Sequence, residues 1–272
     1  GTELRCVPPG DAGLALACAL APDAGGLVIG GSDGTLALWG ILQARLVARL
    51  PAHRGAVNAC AFEPAGTLLA SASADRTVRL ADLRDRTRRL AFVAHRDSVT
   101  ACAFEPEGRL LVTGGVDGTL RRWRVPAEGD ALWEAWFAGT ERLAADDAAR
   151  RLGLLEFGEH ARAVNALSFA PDGSFLASAS DDASLRLWHW PDGRERQVLL
   201  GHHARVTGCA VHPGGRLIAS VAEDGGIRVW QVGGGTLAAL VVDGALGHCA
   251  WLDDERLAVA GACGLVLLRW QG

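Results

Sequence analysis

Asn58-Ala-Cys-Ala-Phe-Glu-Pro-Ala-Gly-Thr-Leu-Leu-Ala-Ser-Ala-Ser-Ala-Asp75 decides how this chain folds, because it recurs. Thr100-Ala-Cys-Ala-Phe-Glu-Pro-Glu-Gly-Arg-Leu-Leu-Val-Thr-Gly-Gly-Val-Asp117 aligns with it without a gap. So does Asn165-Ala-Leu-Ser-Phe-Ala-Pro-Asp-Gly-Ser-Phe-Leu-Ala-Ser-Ala-Ser-Asp-Asp182. Each copy runs on into an alternating strand such as Ser184-Leu-Arg-Leu-Trp188. Trp39, Ala81 and Trp123 stand 42 residues apart, as do Trp188 and Trp230. Short alternating strands separated by Pro/Gly turns, at this period, predict one four-stranded blade per repeat of an all-β propeller.

Working outward, composition sets the class. The chain has 272 residues, with 27 basic against 31 acidic side chains and a net charge of −4. Every basic residue is Arg; Lys, Met and Tyr are absent. A chain that opens on Gly1 and lacks Met reads as a domain excised from a larger protein. At 49% hydrophobic and 21% charged it is neither disordered nor fibrous. Mild acidity argues against nucleic acid as a partner, which calls for a basic footprint. No apolar run is long enough to span a membrane; the longest, Leu237 to Leu252, is interrupted by Asp243 and His248. No secretory signal is visible, so the expected location is cytoplasmic.

Five of the seven cysteines, Cys18, Cys60, Cys102, Cys209 and Cys249, fall in one slot of the repeat, as in Ala-Cys-Ala-Phe. A thiol in the same place of successive repeats behaves as a small core residue. No CxxC pair occurs, so neither disulfides nor a metal are expected.

The repeat closely resembles the WD40 family along essentially the whole chain. The resemblance implies a closed β-propeller formed by one domain, 1–272, with strand Glu3 to Val7 completing the last blade. It also implies a hydrogen-bonded chain inside each blade, built from a His before the first strand, a Ser or Thr on the second, a turn Asp and a Trp on the third. On these positions the complete sets are His95, Thr113, Asp117 and Trp123; His160, Ser178, Asp182 and Trp188; and His202, Ser220, Asp224 and Trp230. The set of His53, Ser71 and Asp75 has Ala81 in place of Trp. The first blade keeps Asp33 and Trp39 but has Asp11 near the His slot.

Blade number turns on the interval of 37 positions from Trp123 to His160. Ala135-Trp136, Glu141-Arg-Leu-Ala144 and Leu152-Gly-Leu-Leu155 parallel Ala250-Trp251, Glu255-Arg-Leu-Ala258 and Leu265-Val-Leu-Leu268 of the final repeat. That likeness favours seven blades. The alternative is six, with an insertion at about 131–157 that includes a helix around Glu141–Leu152, whose Ala/Asp/Arg content suits one.

Other motifs reduce to the repeat. Gly30-Gly31-Ser32-Asp33-Gly34 has the outline of a hydrolase nucleophile, but that chemistry needs a strand-to-helix elbow and here the segment joins two strands. His202, His203 and His212 lie close in sequence, yet His202 is the repeat's own His. Asp181-Asp182 and Glu223-Asp224 each contain the turn Asp. More informative is Arg beside every repeat His: Arg54, Arg96, Arg162 and Arg205. By the resemblance these loops share one face with the turns that carry Asp181 and Glu223. Guanidinium forks with interspersed acids suit an acidic peptide. Trp133 is a second partner-binding candidate.

The expected function is therefore a non-catalytic scaffold or sensor module. Its partner is another protein or peptide, or other domains of its parent chain, bound on the top face. No catalytic residue, cofactor or small-molecule substrate is expected. The alternatives are a propeller enzyme with chemistry at the central channel and a purely structural spacer or oligomerisation module.

Overall fold

Period-two alternation makes each repeat a run of five- or six-residue strands, and Gly or Pro turns fold the run into an antiparallel meander. The computed structural model describes residues 13–50, 53–85, 89–125, 142–262 and 264–271, with backbone only at 142 and 143. The first sheet holds β1 (Ala15–Leu20), β2 (Gly26–Gly31), β3 (Leu36–Gly40) and β4 (Arg45–Leu50) in sequence order. The second holds β5 (Val57–Phe62), β6 (Leu68–Ser73), β7 (Thr77–Asp82) and β8 (Arg89–Val93). The third begins with β9 (Val99–Phe104), β10 (Leu110–Gly115) and β11 (Thr119–Arg124). Its fourth strand is β13 (Leu155–Glu159), reached only after β12 (Arg142–Leu143) and helix α1 (Ala145–Arg151).

The fourth sheet is β14 (Val164–Phe169), β15 (Phe175–Ser180), β16 (Ser184–His189) and β17 (Glu195–Leu200). The fifth is β18 (Val206–Val211), β19 (Leu217–Ala222), β20 (Gly226–Gln231) and β21 (Thr236–Val241). β22 (Leu246–Trp251), β23 (Arg256–Gly261) and β24 (Gly264–Arg269) form the sixth. The architecture is an all-β propeller whose described residues form six blades.

The seven-blade expectation is thus corrected. The described part of the 131–157 interval forms no sheet of its own. β12 lies parallel on β8, at the outer edge of the second sheet, and β13 is the fourth strand of the third sheet, antiparallel to β11. Between them α1 runs for seven residues, with Asp146 and Asp147 in its first turn and Arg150 and Arg151 in its last. These charges oppose the helix dipole in the favourable sense, and Arg150 pairs with Asp147 at 2.8 Å. Ala148 and Leu152 are buried, and the Leu152 carbonyl accepts the Arg124 N–H at 2.8 Å. The six-blade alternative with an insertion holds. Ala135, Trp136 and Glu141 lie outside the described residues, as does the closing strand expected at Glu3 to Val7.

The chain divides into two compact units. The first contains the first two sheets, β9, most of β10, β12 and α1. Its largest apolar cluster joins Leu80, Phe92, Leu111, Trp123 and Leu152; Phe92 and Trp123 meet with ring centroids 4.8 Å apart. The second contains β13 to β24 with most of β11. Its core joins Phe175, Leu185, Leu187, Ile218 and Trp230. Every residue of β6 and of β15 is buried, because a second strand has a sheet neighbour on each side and blades against both faces.

A bulge recurs where first and second strands pair. The register slips between Val57 and Ala59, Val164 and Ala166, and Val206 and Gly208. Such a bulge re-aims the unpaired residue. Here those residues are Asn58, Asn165 and Thr207, and each reaches the next blade. Asn58 Nδ2 donates to the Val99 carbonyl at 2.8 Å, Asn165 Nδ2 to the Val206 carbonyl at 2.9 Å, and Thr207 Oγ1 to the Leu246 carbonyl at 2.7 Å.

Candidate functional site

The most polar buried feature is the chain of side chains inside each blade. In the fourth blade His160 precedes β14, and its N–H bonds to the Gly118 carbonyl at 2.9 Å. Nδ1 faces Asp182 at 3.0 Å and Nε2 faces Ser178 Oγ at 2.7 Å. Trp188 Nε1 donates to the same Oγ at 2.9 Å. The donors run one way. Indole N–H gives to Ser, Ser O–H gives to Nε2, and Nδ1–H gives to the carboxylate. Burial lowers the His160 pKa and Asp182 only partly offsets it, so the imidazole is neutral. Burial alone would raise Asp182, but hydrogen bonds from Ser184 and His160 hold its carboxyl below the ordinary range.

The third blade brings His95 Nε2 to 2.8 Å from Thr113 Oγ1, which also accepts Trp123 Nε1–H at 3.0 Å. Asp117 accepts the Thr119 hydroxyl at 2.8 Å. In the second blade His53 Nε2 is 2.8 Å from Ser71 Oγ, and Nδ1 is 3.3 Å from Asp75. Asp75 is likewise held below the usual range: burial raises it, and bonds from His53, Thr77 and the Arg54 N–H outweigh that. The Ala81 position therefore costs this chain only its last member.

The fifth blade differs in the opposite place. His202 Nε2 meets Ser220 Oγ at 2.7 Å, and Trp230 Nε1 donates to it at 2.8 Å. No hydrogen bond joins His202 to Asp224, which is exposed and among the described residues accepts only the Gly226 N–H. Thr77, Thr119 and Ser184 each clamp their turn Asp with a hydroxyl; position 226 is Gly and has none. Burial, with Arg228 second, lowers the His202 pKa to about 4. In the first blade Ile29 pairs with Cys18 where Ser71 pairs with Cys60, so the hydroxyl slot is apolar.

Around these networks lie the charged loops. In the first unit Arg54 and Arg96 are exposed beside His53 and His95. In the second, Arg162 is exposed and Arg205 pairs with Glu223 at 2.6 Å, each about half exposed. Asp181 accepts Asn165 Nδ2 at 2.6 Å and adds its field to Arg205. Trp133 lies outside the described residues. The inter-blade Asn58, Asn165 and Thr207 were missed by motif reading, although their slot opens each aligned repeat.

Among the described residues, Cys18, Cys60, Cys102, Cys209 and Cys249 are free thiols, and burial pushes Cys102 and Cys209 up to about 12. Among the described residues no group of His, Cys, Asp and Glu is arranged to hold a metal ion. No described helix is long and apolar enough to cross a membrane.

The model of one repeat family, "WD domain, G-beta repeat", matches residues 44–82, 86–124, 154–189 and 193–231, more than half of the chain. Each match opens just ahead of a blade's fourth strand and closes on the third strand of the next. The stretch between the second and third matches is the insertion that carries α1. Short segments are similar to human WD repeat and SOCS box-containing protein 1, 48% identical over 59 residues, which is 21% of this chain and 14% of that protein. Human WD repeat-containing protein 86 is 41% identical over 51 residues, 19% of this chain and 14% of the relative. For the 26S proteasome regulatory subunit RPN14 of Saccharomyces cerevisiae the figures are 40% over 52 residues, 19% and 12%. The aligned segments thus span about one seventh or less of these relatives' length. The four repeat matches and the blades they frame make the chain a member of the WD40 family, "WD domain, G-beta repeat".

Proposed function

We propose that this chain is a non-catalytic interaction module that binds an acidic segment of another protein, or of a neighbouring domain, through the arginine-bearing loops of its blades. The observation that carries this reading is a division of labour in each repeat. His53, His95, His160 and His202 are buried in their blades, and Asp75 and Asp182 turn inward to meet theirs, whereas the neighbouring Arg54, Arg96, Arg162 and Arg205 project to solvent. In the second unit Arg162, Arg205, Asp181 and Glu223 form a mixed charged surface able to choose the register of a charged peptide. A relative named as a proteasome regulatory subunit supports the class of role and not a partner. The small apolar first strands, such as Ala15–Leu20 and Val57–Phe62, favour binding over channel chemistry.

The test is retention of the chain on immobilised Asp/Glu-rich peptides, with Lys/Arg-rich peptides as the counter-set, across a salt series. The acidic set should retain it, and less so as salt rises. Arg54→Glu and Arg162→Glu, each made alone, should weaken retention while stability stays within about 0.5 kcal/mol, as for exposed sites. Asp182→Ala should do the reverse, costing about 1–3 kcal/mol by breaking a buried network and leaving retention nearly intact. Equal retention of both peptide sets, or an arginine variant that binds like the parent, would sink the proposal.

A further inference from the structure

Three blades seat an indole against a buried hydroxyl: Trp123 on Thr113, Trp188 on Ser178 and Trp230 on Ser220. The second blade has the hydroxyl and no indole. Where Ala81 replaces Trp, a cavity of about 300 Å³ opens, lined by Leu69 and Ser71 of β6, Arg79 and Ala81 of β7, and Arg89 and Ala91 of β8. Leu36 and Leu50 of the first sheet form the opposite wall. Benzene fills an apolar cavity of about 150 Å³, so a fused bicyclic ring has room here.

The polar groups specify the occupant further. Ser71 Oγ is buried and its one hydrogen-bond partner among the described residues is His53 Nε2, to which it donates. The position at which Ser178 and Ser220 accept an indole N–H is therefore open on Ser71. Arg79 pairs with Ser71 in the same register as Arg228 with Ser220, and the Arg228 guanidinium stands 5.8 Å over the Trp230 ring. A ring in the Ala81 cavity would gain the same cation–π contact. At the mouth, Ala81 pairs with Arg89, whereas Trp188 pairs with Glu195, which neutralises Arg186 at 2.6 Å. The second blade thus presents Arg where the fourth presents an acid, and Arg89 has no ion-pair partner among the described residues.

We infer that the Ala81 cavity is a binding site for a small aromatic N-heterocycle carrying a carboxylate, an indole-carboxylate in class. Its N–H donates to Ser71 Oγ, its face lies under Arg79 and its carboxylate reaches Arg89. This adds a small-molecule ligand to a chain whose sequence predicts none, and it does not use the loop arginines.

Isothermal titration calorimetry of the full chain with indole-3-acetate tests it, with thermal melting in parallel. Saturable binding is expected. It should be about fivefold weaker for benzothiophene-3-acetate, which lacks the N–H, and about tenfold weaker for indole-3-acetamide or for Arg89→Gln. Ala81→Trp should abolish binding and raise the melting temperature by supplying the chain's own indole. If that variant does not fold, Ala91→Phe blocks the same cavity from β8. No saturable binding by the parent chain, or undiminished binding by a folded blocking variant, would overturn the site. Tighter binding of N-acetyltryptophanamide than of indole-3-acetate would assign the cavity to a protein-borne tryptophan and overturn the anionic ligand.

Discussion

The turn after the second strand of the first five blades shows how much one position decides. Its Asp is followed by a residue in the left-handed region, at φ between +65° and +85°. Gly34, Gly118 and Gly225 occupy the slot in three blades, and a Cβ on Gly118 would lie 2.6 Å from the His160 carbonyl. Arg76 and Ala183 hold the same conformation with a side chain, which costs about 1 kcal/mol for an L-residue. Ala183→Gly should therefore stabilise the chain by about 0.5–1 kcal/mol, read as a higher urea midpoint at unchanged slope. A lower midpoint would mean that the turn is relaxed by contacts of Ala183 itself. The turn Asp was legible because its position repeats. The failure of Asp224 to reach His202 was not, because it follows from Gly226, a residue outside the four-membered set. Only the geometry shows that the hydroxyl of Thr77, Thr119 or Ser184 is what aims the carboxylate.

At the scale of elements, the hard reading was the segment that fills out the third sheet. Leu152-Gly-Leu-Leu155 has the apolar density of a strand, and the similar Leu265-Val-Leu-Leu268 stands near the end of the final repeat. Yet Leu152 ends α1 and is buried, while Leu155 begins β13 and is more than a third exposed. A seven-residue helix is too short to hold by propensity alone, so docking of Ala148 and Leu152 in the first unit's core decides it. That docking depends on partners such as Phe92 and Trp123, remote in sequence, which local pattern cannot weigh. Leu152→Ala should accordingly cost about 2–4 kcal/mol in chemical denaturation, and Leu155→Ala less than about 1. Equal costs would mean that Leu155 is packed as deeply as Leu152, against its exposure here. Strand identity elsewhere was legible because alternation and turn chemistry agree in every repeat.

At the scale of the whole molecule, the buried networks tie folding to pH. His160 and His202 are held neutral by burial, His202 down to about 4, whereas in the unfolded chain each titrates near 6.5. Between those values the unfolded state binds more protons, so stability rises with pH and is lost as pH falls through the window from about 6.5 to 4. Asp75 and Asp182 act below it. Their folded pKa values lie under the unfolded value near 3.9, so their contribution is full above that pH and disappears as the carboxylates protonate. Acidification should therefore weaken the fold in two stages, histidines first, with a loss of about 1–3 kcal/mol between pH 7 and pH 4.5. Urea midpoints at half-unit steps would show it, and His202→Gln should flatten the upper stage while leaving the lower one. A profile flat from pH 7 to pH 5 would contradict neutral imidazoles in the blades. A lower stage persisting in Asp75→Asn combined with Asp182→Asn would place the acid-labile charge on other carboxylates.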